Sequence, residues 1–264
     1  MVAESIKKNA KLLREVPVKL EKLERELLLF DFVSGVGRWL VGRDGIPNEG
    51  EEFYLKDAQN ILLREPQPVS FYLNDSERCS VLTGANSGGK TTLLEHVIQY
   101  ISCFQLGLPV SGELKTPLFS EVYYFAKTKG SMSKGAFETL LTQMSGITPG
   151  KKTLILADEI EAVTEPGVAG KMIAATAAYF LSKGCFMVIA THLGQEIAKA
   201  KPEGARIDGI EAKGLDEFNE LIVDHNPVLG RLASSTPELI VEKMARSGGG
   251  AYFDFLNSFL KDES

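Results

Sequence analysis

A glycine-rich run that ends in lysine and threonine is the part of this sequence with the most defined chemistry. Residues 84–91 read Gly-Ala-Asn-Ser-Gly-Gly-Lys-Thr and fit the pattern GxxxxGK[ST] at every position. Glycines let the backbone curl so that successive amides point at phosphate oxygens. Lys90 is expected to reach the β- and γ-phosphates of a nucleotide, and the Thr91 hydroxyl to bind Mg²⁺.

The run follows an apolar segment and opens a helical pattern, which is the context a phosphate-binding loop requires. The helix N-terminus adds positive potential at the same place. We therefore predict an ATP and Mg²⁺ site. The residues predicted to bind nucleotide in this run are Gly84, Ala85, Asn86, Ser87, Gly88, Gly89, Lys90, Thr91 and Thr92.

Two carboxylates supply the second half of the predicted site. Asp158 and Glu159 directly follow the apolar run 153–157. Parallel α/β sheets bind ligands at the carboxyl ends of their strands, so we expect Asp158 to hold Mg²⁺ through water. Glu159 would act as general base for the attacking water. An Asp-Glu pair alone is common at strand ends, and it becomes specific only in combination with the glycine-rich run.

Two further residues have both a functional and a purely structural interpretation. His192 follows the apolar run 186–190 and could sense the γ-phosphate, or it could be an ordinary strand-end histidine. Ser133 is a suitable N-cap for a helix. The helix it starts could also point at a γ-phosphate held by a second subunit.

The elements that must position these residues alternate between strand and helix. Strands are predicted at 79–83, 122–126, 153–157 and 186–190. A helix begins at Lys90 and an alanine-rich helix covers 168–182. This alternation predicts an α/β fold with a mostly parallel sheet flanked by helices.

The N-terminal part is predicted to be helical over 5–30. Leu13, Leu20 and Leu27 are seven residues apart, and a second apolar series runs three positions behind them. Pro17 is expected to kink or split this helix. The helix could pack on its own domain or be the stump of a long antiparallel helical arm.

Composition limits the possible functions. The chain has 264 residues and a formal net charge of −6. An acidic chain does not coat DNA by itself, so any DNA contact should be local or come through a partner. The three cysteines are widely spaced and predicted to be free thiols. Neither a membrane span nor a secretory signal is recognised, which predicts a cytoplasmic protein with no membrane partner.

The phosphate-binding run also resembles a known family. Residues 83–92 resemble the MutS variant TGPNxGGK[ST], and Ala190-Thr191-His192 matches that family's switch motif. The resemblance implies that Phe71, in a segment similar to RHPVV…FVPND, stacks on adenine. It also implies that a segment containing His225 touches the nucleotide.

The departures from the family pattern are specific. Ala85 replaces proline, Lys134-Gly135 replaces Thr-Phe after Ser133, and 161–163 lack glycine. The chain is too short to contain the family's mismatch-recognition, clamp and nuclease domains in addition to the expected ATPase domain. The resemblance predicts a helical segment at 1–45, a MutS-type ATPase domain at 50–247 and an amphipathic helix at 248–264, with 42–52 as a linker.

The expected function is ATP binding and hydrolysis that controls DNA engagement in mismatch repair or recombination. The expected assembly is a homodimer with nucleotide sandwiched between subunits, each site completed by Ser133 of the other. One alternative is an ABC-type ATPase subunit serving another partner, although residues 132–136 differ from that class's LSGGQ run. A second alternative is a non-catalytic MutS-like interaction module, and a small-molecule kinase is the least favoured.

Overall fold

The chain divides into two compact units, Met1–Asp44 and Gly45–Ser264, in a computed structural model. The structure describes residues 2–84, 88–126, 134–160, 165–215, 221–233, 237–248 and 250–262. The domain boundaries predicted at 45–50 and 247–248 remain predictions, because a division by contacts into two units does not test them.

The first unit is one long helix, α1 (Val2–Leu40). The predicted helical segment is therefore present. Pro17 does not split it, because the helix continues through that residue, and the predicted kink stays a prediction. An interior proline removes one backbone hydrogen bond and costs about 3 kcal/mol. The leucine-, glutamate- and lysine-rich sequence on both sides favours helix enough to offset that cost. None of the described helices is long and apolar enough to cross a membrane.

The second unit contains strands in two main sheets and six helices among the described residues. The strands are β1 (Asn48–Glu49), β2 (Phe53–Ala58), β3 (Val69–Leu73), β4 (Cys79–Gly84), β5 (Glu113–Thr116), β6 (Glu121–Phe125), β7 (Thr153–Asp158), β8 (Phe186–Ala190), β9 (Ala205–Ile210), β10 (Ala212–Leu215) and β11 (Leu221–Val223). The helices are α2 (Lys90–Gln105), α3 (Lys134–Ser145), α4 (Pro166–Ser182), α5 (Gly194–Ala198), α6 (Pro237–Arg246) and α7 (Ala251–Asp262).

The larger sheet is parallel throughout and has the strand order β6-β7-β8-β4-β9. The predicted α/β fold with a parallel sheet flanked by helices is confirmed. The four predicted strands are found within one residue of their expected ends. They were recognisable because a parallel strand covered on both faces is a continuous apolar run, and β7 and β8 are buried along their whole length.

Helices cover both faces of this sheet. Alternate residues of β4, β7 and β8 form one buried cluster with α4, and no residue of α2 belongs to it. Helix α2 instead contacts the same strands from the other side. Helix α4 is close to α5, since a Cβ on Gly170 would lie 2.5 Å from the Cβ of Glu196. The two layers hold the sheet rigid, so that the carboxyl ends of its strands keep a fixed geometry.

A smaller mixed sheet of order β1-β5-β2-β3 lies in the same unit. The segment 42–52, expected as a linker, contributes β1, which pairs in parallel with β5. Its Gly45 also bridges to Val110. Part of the predicted linker is therefore built into the second unit. The antiparallel hairpin of β10 and β11 follows the last strand of the larger sheet.

Candidate nucleotide-binding site

The glycine-rich loop joins β4 to α2 at the carboxyl end of the parallel sheet. Gly84 has a φ of 130°, and a Cβ there would lie 2.3 Å from the backbone oxygen of Ile210. Gly89 has a φ of 93°, and a Cβ would lie 2.8 Å from Nδ1 of His225. Both positions therefore require glycine for space as well as for backbone conformation. Ala85, Asn86 and Ser87 lie outside the described residues.

Lys90 is the first residue of α2 and is 3% exposed. Its Nζ donates a hydrogen bond to the backbone oxygen of Gly84 at 2.6 Å, so that the side chain folds back across the loop. The ammonium group and the amides of the helix N-terminus thus lie at the same place. That combination attracts anions, and phosphate in particular.

Thr91 connects the loop to the predicted carboxylate. Its hydroxyl donates a hydrogen bond to Oδ2 of Asp158 at 2.8 Å. Asp158 is the last residue of β7 and is 5% exposed. Strand β8 lies between β7 and β4, so the residue reaches the loop across one intervening strand. The contact brings the two side chains together, and their roles in binding Mg²⁺ stay predictions.

The donor set of this pair fits Mg²⁺. A hydroxyl and a carboxylate are hard oxygen ligands, and Mg²⁺ commonly binds through one or two such groups together with waters and substrate phosphates. Within the described ranges, no group of three His, Cys, Asp or Glu side chains could hold a metal by itself. A metal at Thr91 and Asp158 would take its remaining ligands from water and from the nucleotide phosphates.

Glu159 follows Asp158 in a strained backbone conformation. Its φ is 45°, which is uncommon for a residue with a side chain. The Glu159 amide donates a hydrogen bond to the backbone oxygen of Ala190 at 2.9 Å, and this bond helps to hold the strained conformation. Such strain is concentrated at functional sites. The conformation supports the predicted role of Glu159 without testing it.

His192 follows β8, the strand between the loop strand and the Asp158 strand. Its side chain is exposed, whereas its neighbour Thr191 is fully buried. The Thr191 amide donates to the backbone oxygen of Leu82 at 3.0 Å, which ties this strand end to the loop strand. His192 is thus presented at the predicted edge of the sheet. Ser133 lies outside the described residues, directly before α3.

His225 lies against the phosphate-binding loop. Its Nδ1 is 3.2 Å from the backbone oxygen of Gly88, so this nitrogen is the donor if the contact is a hydrogen bond. The ring also occupies the space that a side chain at Gly89 would need. The resemblance implied that His225 touches the nucleotide, and the structure places it on the loop itself.

Three residues that sequence reasoning missed form a chain of polar contacts that holds this histidine in place. Gln67 accepts a hydrogen bond from the His225 amide at 3.2 Å and donates one to Asp224 at 2.7 Å. Lys213 contacts the other oxygen of Asp224 at 2.6 Å. The Lys213 hydrogen bond is the largest cause that lowers the pKa of Asp224 to about 2. Asp224 therefore remains a carboxylate at any ordinary pH.

The neighbouring residue strengthens the same connection. Asn226 accepts a hydrogen bond from the Ser70 amide at 2.8 Å and donates one to the backbone oxygen of Pro68 at 3.0 Å. We name residues 224–226 the histidine loop. Its attachment to the start of β3 and to the residue before it fixes the position of His225 relative to the glycine-rich loop.

A buried ion pair, also missed from sequence, supports the strand beneath the loop. Arg206 donates to Asp208 at 2.7 Å and to Glu77 at 2.7 Å. Asp208 is fully buried and accepts further hydrogen bonds from Ser80 at 2.6 Å and from the amide of Gly230 at 2.9 Å. The pair thus connects β9, β4 and the chain beyond the histidine loop.

The placement of Phe71 argues against its predicted role. Its side chain is 1% exposed and packs on Phe53, with the ring centroids 6.4 Å apart. It points inward because alternate residues of β3 are buried. A ring enclosed in this way presents no face to a base, so the predicted stacking on adenine is not supported.

Comparisons with known proteins agree with this geometry. The chain is 42% identical over 216 residues to the DNA-binding protein MutS2 of Pyrococcus furiosus, a match that covers 78% of this chain and 38% of that protein. It is 30% identical over 155 residues to the endonuclease MutS2 of Solidesulfovibrio magneticus, covering 54% and 20%. These similarities support a MutS-family relationship for the chain. No family model matches it.

The extent of these matches limits what they imply. The chain spans less than half the length of each of these two MutS2 relatives. The relationship supports the MutS resemblance seen in the loop and at Ala190-Thr191-His192. Activities of the longer relatives are not thereby activities of this chain.

Proposed function

We propose that this chain is a Mg²⁺-dependent ATPase of the MutS type that uses ATP binding and hydrolysis to control DNA engagement in mismatch repair or recombination. The observation that carries the proposal is the 2.8 Å hydrogen bond between the Thr91 hydroxyl and the Asp158 carboxylate. Those two groups come from distant parts of the chain and are the pair that a P-loop ATPase uses for its metal.

Each group in the proposed site has a role that follows from its chemistry. The loop amides and the α2 N-terminus bind the phosphates. When ATP binds, the Lys90 ammonium group leaves the backbone oxygen of Gly84 and contacts the β- and γ-phosphates instead. Thr91 and Asp158 hold Mg²⁺, which when bound neutralises charge on the phosphates. Glu159 accepts the proton of the attacking water. His192, at the end of the intervening strand, contacts the γ-phosphate.

DNA engagement and dimer formation belong to the same proposal. The similarity to a protein named DNA-binding MutS2 supports a DNA partner. The net charge of −6 favours a local DNA contact or one made through another protein. In the proposed dimer, nucleotide lies between two subunits and Ser133 of each subunit completes the site of the other, so that hydrolysis releases them.

ATPase and nucleotide-binding measurements test the proposal. The chain should bind ATP only weakly without Mg²⁺ and hydrolyse it with Mg²⁺. Lys90→Ala should abolish both Mg²⁺-dependent ATP binding and ATP hydrolysis, because it removes the ammonium group that contacts the phosphates. The matched control is Lys152→Ala, which changes an exposed lysine before β7. Absence of Mg²⁺-dependent binding in the unmodified chain would refute the proposal.

The DNA part needs separate measurements. ATPase rates should be compared without DNA and with duplex, mismatched and branched DNA at one fixed salt concentration. We expect at least one of these DNAs to change the rate. An active ATPase that responds to none of them would support instead an ABC-type subunit that serves another partner.

A further inference from the structure

Helix α1 carries an apolar stripe that its own unit leaves uncovered. The residues of the stripe repeat every seven positions in two series offset by three, which is the a/d pattern of a coiled coil. Each is between 43% and 70% exposed. They are Ile6, Leu13, Leu20 and Leu27 in the first series and Val16, Leu23 and Phe30 in the second. A helix with such a stripe is stable when a second helix covers it.

The charges beside the stripe differ between its two edges. Lys19 and Glu26 lie on one edge, and Glu24 and Asp31 lie on the other. In a two-stranded coiled coil, residues at these flanking positions meet across the interface and decide which orientation is favoured. The positions of these four charges can therefore distinguish a parallel from an antiparallel pair.

A parallel pair of α1 helices would contain a repulsive contact. Lys19 of one helix would face Glu24 of the other, which is favourable. Glu26 would face Asp31 of the other helix, which is unfavourable. Both contacts occur twice by symmetry, so attraction and repulsion largely cancel.

An antiparallel pair avoids that repulsion. When Leu20 packs on Leu23 of the other helix, Leu27 meets Val16 and Leu13 meets Phe30. Six of the seven stripe residues are thus matched, and Ile6 lies opposite Gly37. Lys19 then faces Glu26 of the other helix, twice by symmetry. On the opposite edge the acidic residues face only Pro17 and Ala10. Every charged contact in this register is attractive or neutral.

Two features of α1 are compatible with this register. Pro17 lies on an edge of the stripe rather than within it, so it does not interrupt the packing positions. Glu26 already contacts Lys22 of its own helix at 3.7 Å, with both side chains more than half exposed. Exposed pairs of this kind are weak. Glu26 therefore remains able to contact Lys19 of a second helix.

We propose that α1 forms an antiparallel coiled coil with α1 of a second copy of this chain, with Leu20 against Leu23 and Lys19 against Glu26. This interface goes beyond the proposed nucleotide-sandwich dimer, because it lies in the first unit and uses no nucleotide. It holds two chains together before ATP binds. The loss of either interface can therefore be observed without the loss of the other.

Sedimentation without nucleotide tests the interface. The unmodified chain should be dimeric at micromolar concentration, and so should Lys90→Ala. The double variant Leu20→Glu/Leu23→Glu should weaken the dimer by roughly 100-fold or more, because four buried leucines become charged groups in each pair of helices. Circular dichroism should show that this variant remains folded. A monomeric unmodified chain in this concentration range would overturn the proposal.

Charge exchange and cross-linking test the register. Lys19→Glu should weaken the dimer, and Lys19→Glu/Glu26→Lys should restore it. On mild oxidation, Lys19→Cys/Glu26→Cys should cross-link two chains, whereas the matched variant Lys19→Cys/Glu24→Cys should not. The unmodified chain is the control, because its three cysteines are buried. Preferential cross-linking of the Glu24 variant would establish a parallel pair and overturn the antiparallel register.

Discussion

Single side chains at the candidate nucleotide site depend on neighbours that belong to no sequence motif. His225 contacts the phosphate-binding loop, yet its position depends on Gln67, which accepts its amide hydrogen bond and donates to Asp224. The hydrogen bonds to Asp224 involve a carboxylate and are therefore stronger than bonds between neutral groups. Gln67 is therefore a positioning residue rather than a catalytic one.

We expect Gln67→Ala to weaken nucleotide binding several-fold without unfolding the chain. The substitution releases the histidine loop, so His225 no longer lies against Gly88. Titration calorimetry with ATP and Mg²⁺ would measure the effect, and Gln143→Ala, at an exposed position of α3, is the matched control. Gln67→Glu should also weaken binding, because it removes the donor to Asp224 and places a second carboxylate beside that residue. Equal affinity in the Gln67→Ala and control variants would show that Gln67 does not position the loop.

His96 gives the fold a defined sensitivity to acid. The residue is 2% exposed, its ring lies edge-on to that of Tyr100, and burial lowers its pKa to about 4. Between pH 6.5 and 4 the unfolded chain therefore binds a proton that the folded chain does not. Stability should fall by about 3 kcal/mol across that range from this residue alone.

Urea unfolding at a series of pH values measures this contribution. The slope attributable to His96 should disappear in His96→Leu, which has no titrating group. It should persist in His192→Ala, because His192 is exposed. Identical pH profiles for the unmodified chain and His96→Leu would contradict the prediction.

At the scale of elements, the carboxyl ends of β4, β7 and β8 form the candidate site. The Arg206–Asp208 pair helps to hold β9, the edge strand next to β4. Strand β9 pairs with β4 along its full length. The ion pair is buried, and both partners make additional hydrogen bonds. Breaking a buried pair by removing one charge leaves the other uncompensated.

Asp208→Asn should accordingly destabilise the protein by about 3–5 kcal/mol. Arg246→Gln is the comparison, since it removes the cation of the exposed Arg246–Glu242 pair in α6 and should cost under about 1 kcal/mol. Chemical denaturation measures both. If the two variants were equally stable, the buried pair would have no special part in holding β9 to the sheet.

At the scale of the whole molecule, two modes of association are expected to coexist. One requires ATP and the second unit, and the other requires only α1. They can be separated by testing the ATP-dependent mode in chains that carry Leu20→Glu/Leu23→Glu and are therefore expected to be monomeric without nucleotide.

In that background, Glu159→Gln should bind ATP without hydrolysing it and sediment as a dimer only when ATP and Mg²⁺ are present. Adding Lys90→Ala should abolish the ATP-dependent dimer. A species that stays monomeric with ATP would exclude the nucleotide-sandwich arrangement, while the α1 interface would be unaffected by that result.

The sequence by itself determined the parts of the protein whose signals are local. Lys90 and Thr91 follow a glycine pattern, and Asp158 follows an apolar strand, so each was recognisable within a few residues. The strands of the parallel sheet were recognisable for the same reason, since burial on both faces makes each a continuous apolar run.

The tertiary structure decided everything that depends on distant neighbours. Gln67 and Asp224 are separated by 157 residues, so no spacing pattern connects them. Whether Phe71 faces a nucleotide or the interior depends on which face of β3 is covered, and its partner Phe53 covers it. The helix continues through Pro17 because flanking sequence offsets one lost hydrogen bond. That balance is local, but the sequence pattern alone did not show which of the two opposing effects is larger.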